Sequence, residues 1–503
     1  MIRGKQKHYN KLTCLRHRGF TELQSACHAW AVLGQSAAAE QETTMTLPFA
    51  SLDEQKFKKF HWLTLFTTGM GVFTDGYDLS SIGIVLPLVL ASFGVTKLTG
   101  LESGLLAGSA LVGAAVGAII FGLLAQNGRK KYYGYDVMLM AVMAFAQIFA
   151  PTLWWLIGIR FVLGIGVGAD YVLSPTIMAE HANRPDRGKK IAIGFGAMWQ
   201  AGAMVAALLS LALIGSGVSD DLRWRIVLAF GAVPALSVLY LRRKMPETAR
   251  YLARMAGDAA GAAAVVRQIS GQPDARAPMR DQRRFATVFK AHAPAIFGAA
   301  LVWLLFDVVI YSGILFGPSL IAQSLGMTPA IFALLVSLVF ILPAAALGAV
   351  LIDRIGRKPL TVLGFVGSAI ALGLFAGLHD TAMAIPVLGF ALFGIYNVMI
   401  VAGPGTTAGA GILGVEVSPT RVRSFGQAIT VVGGRIGASF SAFVFPVLFG
   451  VIGEQGVIWA LAATSVVGAI CTMVAIPETA RRSLEDITDD GDARLAAAGA
   501  MGD

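Results

Sequence analysis

The chain has 503 residues, 56% of them hydrophobic and only 14% charged, whereas an average soluble domain carries about 25% charged residues. That balance excludes an ordinary soluble domain and points to a membrane protein. The net charge of +10 would suit nucleic acid if it were clustered on one surface, but it is spread over alternate loops, so no nucleic-acid partner is expected.

A helix needs about 20 apolar residues to cross a bilayer. Twelve such segments follow one another, at 61–89, 101–126, 132–150, 152–180, 188–214, 223–243, 291–323, 328–352, 359–378, 382–413, 422–450 and 455–476. The predicted fold class is therefore an all-α integral membrane protein. Residues 1–54 read as a polar, disordered leader. Its start is basic but has no apolar core, so it is no secretory signal. Met45 offers a natural start, and a transit peptide is the alternative. Residues 55–243 form a first six-helix half, 244–290 a linker, 291–481 a second half and 482–503 a tail. Basic residues gather at Arg129–Lys131, Arg184–Lys190, 242–290, Arg354–Lys358, Arg421–Arg423 and Arg481–Arg482. The other loops hold little beyond Lys97, Arg223 and Arg225. This positive-inside pattern puts the linker and both termini in the cytoplasm of a chain expected to work as a monomer in the cell (inner) membrane.

The chain repeats itself. "MPETARYL" (245–252) closes the first half and "IPETARRSL" (476–484) the second. "NGRKK" (127–131) returns as "IGRKP" (355–359), and "MAEHANRPDR" (178–187) returns as "GVEVSPTRVR" (414–423). The last match aligns Glu180 with Glu416 and Arg187 with Arg423. Two parallel halves with a site between them describe a class of secondary transporter. No nucleotide loop, metal-ligand cluster or Ser/His/Asp set is present, and the histidines read as lying outside the pore helices. Cys14, Cys27 and Cys471 make no framework. An enzyme, a cofactor and a metal site are thus not expected, and a gradient must supply the energy.

Ionisable residues inside membrane helices are functional candidates. Asp75 and Asp78, in "GMGVFTDGYDLSSIGIVLP" (69–87), are one helical turn apart and share a face. Two like charges that close in low dielectric do not both ionise, so a proton site suits them better than a static ion pair. Arg160 and Asp170 lie about 15 Å apart on one helix and cannot pair along it. Asp170 follows Gly164, Gly166 and Gly168, which let a neighbouring helix approach closely. Tyr171, Gln200, Trp303 and Tyr311 offer donors that suit an oxyanion. A carboxylate such as Asp307 tolerates a bound anion only if one of the two carries a proton, which favours protonated oxyanions.

The layout and the repeated G-R-K and P-E-T-x-R blocks resemble the major facilitator superfamily over residues 55–485. The resemblance implies its fold of two six-helix halves, and a loop latch on the cytoplasmic side involving Arg129, Asp353 and Arg357. The first-half loop departs, with Gln126 where an Asp is usual. Glu180, Arg187, Glu416 and Arg423, at cytoplasmic helix ends, read as inter-loop salt bridges of the same gate, holding the outward-open state.

"RFVLGIGVGADYVLSPTIMAEHANRPDRGK" (160–189), "FTDGYDL" (73–79) and "WLLFDVVIYS" (303–312) narrow the resemblance to the phosphate:proton symporter family. It implies proton-coupling roles for Asp75, Asp78, Arg160, Asp170 and Asp307. It implies substrate contacts from Tyr171, Gln200, Trp303, Asp307, Tyr311 and Arg435. Two positions depart: Gly405 stands where the family has an Asn that binds the anion, and Arg435 where it has a Lys. The charge at 435 remains, but Arg keeps its proton and can attract an anion without relaying a proton. Asn397, two turns earlier, is a candidate replacement for the lost Asn. The implied activity is symport of protons with phosphate or a similar protonated oxyanion. An aromatic-acid symporter, a sugar porter and a transporter-like nutrient receptor stand as alternatives.

Overall fold

The computed structural model describes residues 49–95, 98–272, 280–324, 327–488 and 490. Cys14, Cys27, Met45, Lys97, most of the leader, linker residues 273–279 and most of the tail lie outside them. The described chain is helical, without strands among those residues. Its apolar helices are Lys59–Ser92, Gly108–Asn127, Arg129–Phe149, Leu153–His181, Arg187–Ile214, Asp220–Lys244, Phe285–Ile314, Ala330–Ile355, Arg357–Gly377, Pro386–Glu416 and Arg423–Ala475. The last holds two spans, because Gly453 (φ 69°, ψ 175°) breaks it with a backbone turn that only glycine adopts at little cost. Twelve spans result, in the predicted order, and they are numbered first to twelfth below.

The perimeter is apolar. Trp155 is 64% exposed, Val451 75% and Val474 83%, a surface that hydrocarbon covers without cost. Inside, the fourth helix lies against the second. A Cβ on Gly164 would strike the Ala110 carbonyl, and one on Gly168 the Ala114 carbonyl, so these glycines give the close approach expected of the Gly-rich run.

The end of the leader is ordered rather than disordered. Ala50–Asp53 is a helical turn, and Phe49 and Leu52 are fully buried against Ala253, Val266 and Ile269 of the linker. Arg250 pins this contact, with Nη2 2.9 Å from Asp53 and Nε 2.7 Å from Glu485 of the tail. Burial acts most strongly, to raise the Glu485 carboxyl, but Arg250, Arg423 and Arg254 together outweigh it and hold the group below its usual range. Burying Phe49 and Leu52 is worth about 1.5–3 kcal/mol each. A chain beginning at Met45 should therefore melt in detergent like the full chain, whereas one beginning at Gln55 should melt several degrees lower. Equal melting of the two shortened chains would show that this segment holds nothing.

Candidate functional site

Trp303, Asp307 and Tyr311 are spaced four residues apart and so share one face of the seventh helix. That face lines a central cavity of about 50 Å³, which Tyr171, Gln200, Gly405 and Arg435 complete from the fourth, fifth, tenth and eleventh helices. All six residues predicted to contact substrate meet here. Arg435 Nη1 donates to the Tyr311 hydroxyl at 3.0 Å. Its Nη2 lies 4.0 Å from Asp307 Oδ2, and its guanidinium carbon lies 4.6 Å from the centre of the Tyr171 ring. Trp303 Nε1 and Asp307 Oδ2 are buried without a well-formed hydrogen bond to protein. Among the described residues, the cavity therefore presents one cation, one carboxyl group and an indole N–H beside that carboxyl group.

The sequence missed Trp199. Its Nε1 donates to Asp75 Oδ2 at 3.0 Å, and the Tyr171 hydroxyl donates to the same oxygen at 2.7 Å. Tyr171 thus joins the cavity to the first helix. Gly405 lies in the π-helical stretch Val401–Gly409, and a Cβ there would sit 3.1 Å from the Ile400 carbonyl and 3.4 Å from the Phe306 ring. Asn397 does not replace the missing side chain. It donates to the Phe393 carbonyl at 2.8 Å and lines a second, largely apolar chamber of about 300 Å³, which shares Trp199, Gln200 and Ile314 with the central cavity.

The two first-helix carboxylates have different surroundings. Asp78 abuts Gly231 of the sixth helix, and both its oxygens are buried without a hydrogen bond among the described residues. Arg160 is fully buried and donates to Gln147 at 3.4 Å. Among the described residues it makes no ion pair within 4 Å, and Asp78 of the first helix is the charged group that acts on it.

Asp170, which cannot reach Arg160 along its own helix, pairs with a cation of another helix. Arg242 Nη1 lies 2.6 Å from Asp170 Oδ1 and 2.6 Å from Asp136 Oδ2. Neither Arg242 nor Asp136 was singled out from sequence. Arg242 opens the run "RRK" and reads as a loop cation, yet it is 0% exposed. The signal that could have found it is Asp170 itself, since a buried carboxylate calls for a buried cation. The histidines, expected outside the pore helices, lie within them: His61 and His181 are at the clasp-side ends of the first and fourth helices, both buried, and His292 is in the seventh.

At the end of the bundle where the leader, linker and tail meet, the repeats form a pseudo-symmetric clasp. Glu180 pairs with Arg129 of its own half at 2.8 Å and with Arg423 of the other half at 2.6 Å, and accepts from Thr248 of the first P-E-T block. Glu416 pairs with Arg357 of its own half at 3.1 Å and with Arg187 of the other at 2.7 Å, and accepts from Thr479 of the second block. Asp353 takes the backbone N–H groups of Gly188 and Lys189 across the halves. Gln126, its first-half counterpart, bonds only within its own helix among the described residues, to the Gly122 carbonyl. All seven predicted gate residues meet here, and their bonds tie the two halves together at this end of the bundle.

Residues 64–490 match the sugar (and other) transporter family. A protein of Oryza sativa subsp. japonica named "Probable inorganic phosphate transporter 1-12" is 31% identical, over 89% of this chain and 95% of its own length. "Low affinity inorganic phosphate transporter 4" of Lotus japonicus is 31% identical, over 88% and 94%. The proton:xylose symporter XylE bound to 6-bromo-6-deoxy-D-glucose shares the fold with a TM-score of 0.72 at 20% identity, covering 86% of this chain and 98% of that one. The inward open conformation of XylE from E. coli gives 0.62 at 21%, over 85% and 99%.

Proposed function

The chain belongs to the sugar (and other) transporter family of the major facilitator superfamily, and from that premise we propose that it carries inorganic phosphate or a similar protonated oxyanion together with protons, by alternating access. The observation that carries this reading is the cavity wall of Arg435, Tyr311, Trp303 and Asp307. An anion that still holds a proton can accept from Arg435 and the Trp303 indole and donate to the Asp307 carboxylate. A fully ionised one meets repulsion there. The names of the relatives in rice and Lotus japonicus point the same way. We assign proton coupling to Asp75, Asp78, Asp170 and Asp307, with Arg160 beside that route. We assign the cytoplasmic gate to the Glu180 and Glu416 clusters. Their pairing across the halves supports an outward-facing state, loaded through the 300 Å³ chamber. We further propose a monomer in the cell membrane, with cytoplasmic termini because the leader and tail meet on the side where the basic loops gather. No nucleic-acid partner is assigned.

One observation favours a second reading. The outer chamber is largely apolar, with Leu79, Ile84, Phe332 and Phe393 in its wall, and this suits the ring of an aromatic acid. Purified protein in liposomes with an imposed pH gradient, offered labelled phosphate, benzoate and a hexose, decides between the two. Phosphate accumulation supports the first reading. Accumulation of benzoate or hexose in its place replaces it.

Gly405 sets a further expectation. A lost charge-assisted hydrogen bond costs about 1.5–3 kcal/mol, or roughly ten- to a hundredfold in affinity. Phosphate binding should be weak in the parent and stronger in Gly405→Asn, as read by calorimetry. Tight binding in the parent, unchanged in the variant, would show that the missing donor is replaced elsewhere.

A further inference from the structure

Three buried charged groups from three helices converge in the cytoplasmic half of the first domain. They are Asp136, Asp170 and Arg242, on the third, fourth and sixth helices, and none is more than 1% exposed. Arg242 Nη1 is shared between the two carboxylates at 2.6 Å each. Its Nε donates to the Thr67 carbonyl at 3.3 Å, and its guanidinium carbon sits 4.4 Å from the Tyr133 ring centre. The first helix lies directly over the group. A Cβ on Gly71 would fall on both the Asp170 carboxylate and the Arg242 guanidinium.

Two carboxylates and one guanidinium sum to −1 when all are ionised, and Arg does not give up its proton. An unbalanced charge in the interior is costly, and one added proton brings the group to neutrality. The two carboxylates are not equivalent hosts for it. Asp136 Oδ1 accepts the backbone N–H groups of Gly134 at 2.7 Å and Val137 at 2.9 Å, and such bonds favour the ionised form. Asp170 accepts only the Ser174 hydroxyl, at 2.5 Å, besides Arg242, and its Oδ2 has no partner. The other titratable groups facing this site are Tyr133, whose hydroxyl is bonded to that of Ser174 at 3.1 Å, and Asp75, already held by Tyr171 and Trp199.

We propose that Arg242 and Asp136 are positioning residues that make Asp170 Oδ2 the seat of a single exchangeable proton. With the proton on Asp170, Arg242 and Asp136 form a neutral couple. When the proton leaves, the guanidinium is shared between both carboxylates. This rests on the symporter reading.

The test is the pH profile of substrate uptake into liposomes. Asp136→Asn leaves Arg242 to Asp170 alone, a pair that is neutral without a proton, so half-maximal uptake should move to lower pH. Arg242→Gln leaves two carboxylates without a cation, so it should move to higher pH. Each shift should be about 1–3 pH units, the range for gaining or losing a close charge partner, and the double variant should return toward the parent. A merely structural role would lower uptake in both without moving the profile. If Arg242→Gln does not fold, the near-isosteric Asp136→Asn still decides the question, with Arg242→Lys expected to keep the parent profile. An unmoved profile in Asp136→Asn, or a shift to higher pH, overturns the assignment. A parent whose uptake ignores the proton gradient overturns the symporter reading instead.

Discussion

Asp170→Asn should abolish gradient-driven accumulation while leaving exchange of substrate across the membrane. The amide has the shape of the acid and can still accept from Arg242 and Ser174. It is neutral at every pH, so it fixes the site in the charge state of the protonated form. Arg242 keeps Asp136 at 2.6 Å, so no buried cation is stranded. That matters, because removing one member of a simple buried pair costs about 3–5 kcal/mol. A carrier fixed in that state can turn around with substrate but gains nothing from protons. One pH unit is worth about 1.4 kcal/mol per proton, so the parent should concentrate substrate roughly tenfold per imposed unit and per coupled proton, and the variant not at all. Labelled substrate in liposomes, measured with and without the gradient, reads both quantities. A variant that concentrates substrate like the parent would show that Asp170 carries no coupled proton.

Arg435→Gln should have the largest effect on binding. Among the described residues lining the central cavity, Arg435 is the one cation. Its loss removes a charge-assisted contact to the anion, worth about 1.5–3 kcal/mol. It also leaves Asp307 without the positive charge 4.0 Å away, so the carboxyl group repels an incoming anion unless it is protonated. Affinity for phosphate should fall about a hundredfold or more by calorimetry. Arg435→Lys should lie between, since Lys keeps the charge but loses the planar fork that also covers the Tyr171 ring. A hexose, if it binds, should be far less affected. Unchanged phosphate affinity in Arg435→Gln would place the anion elsewhere.

Properties that a single helix encodes can be read from the chain alone. About 20 apolar residues suffice for a span, so the twelve segments were legible one at a time, and Gly453 lay in the gap predicted between the last two. Spacings of four put Trp303, Asp307 and Tyr311 on one face before any neighbour was known. The internal repeat aligned Glu180 with Glu416 and Arg187 with Arg423, the residues that the clasp joins crosswise. Helical periodicity says which residues share a face, but not which other helix that face meets. Hence Asp75 and Asp78 read as one pair, although only Asp75 receives Tyr171 and Trp199. Hence also Arg242 read as one cation in a basic loop, although the packing of the third, fourth and sixth helices buries it between two carboxylates. Gly71 shows the reason. A residue without a side chain carries no chemical signal, yet its missing Cβ lets the first helix close over that ion cluster, and such a contact exists only once the helices are packed.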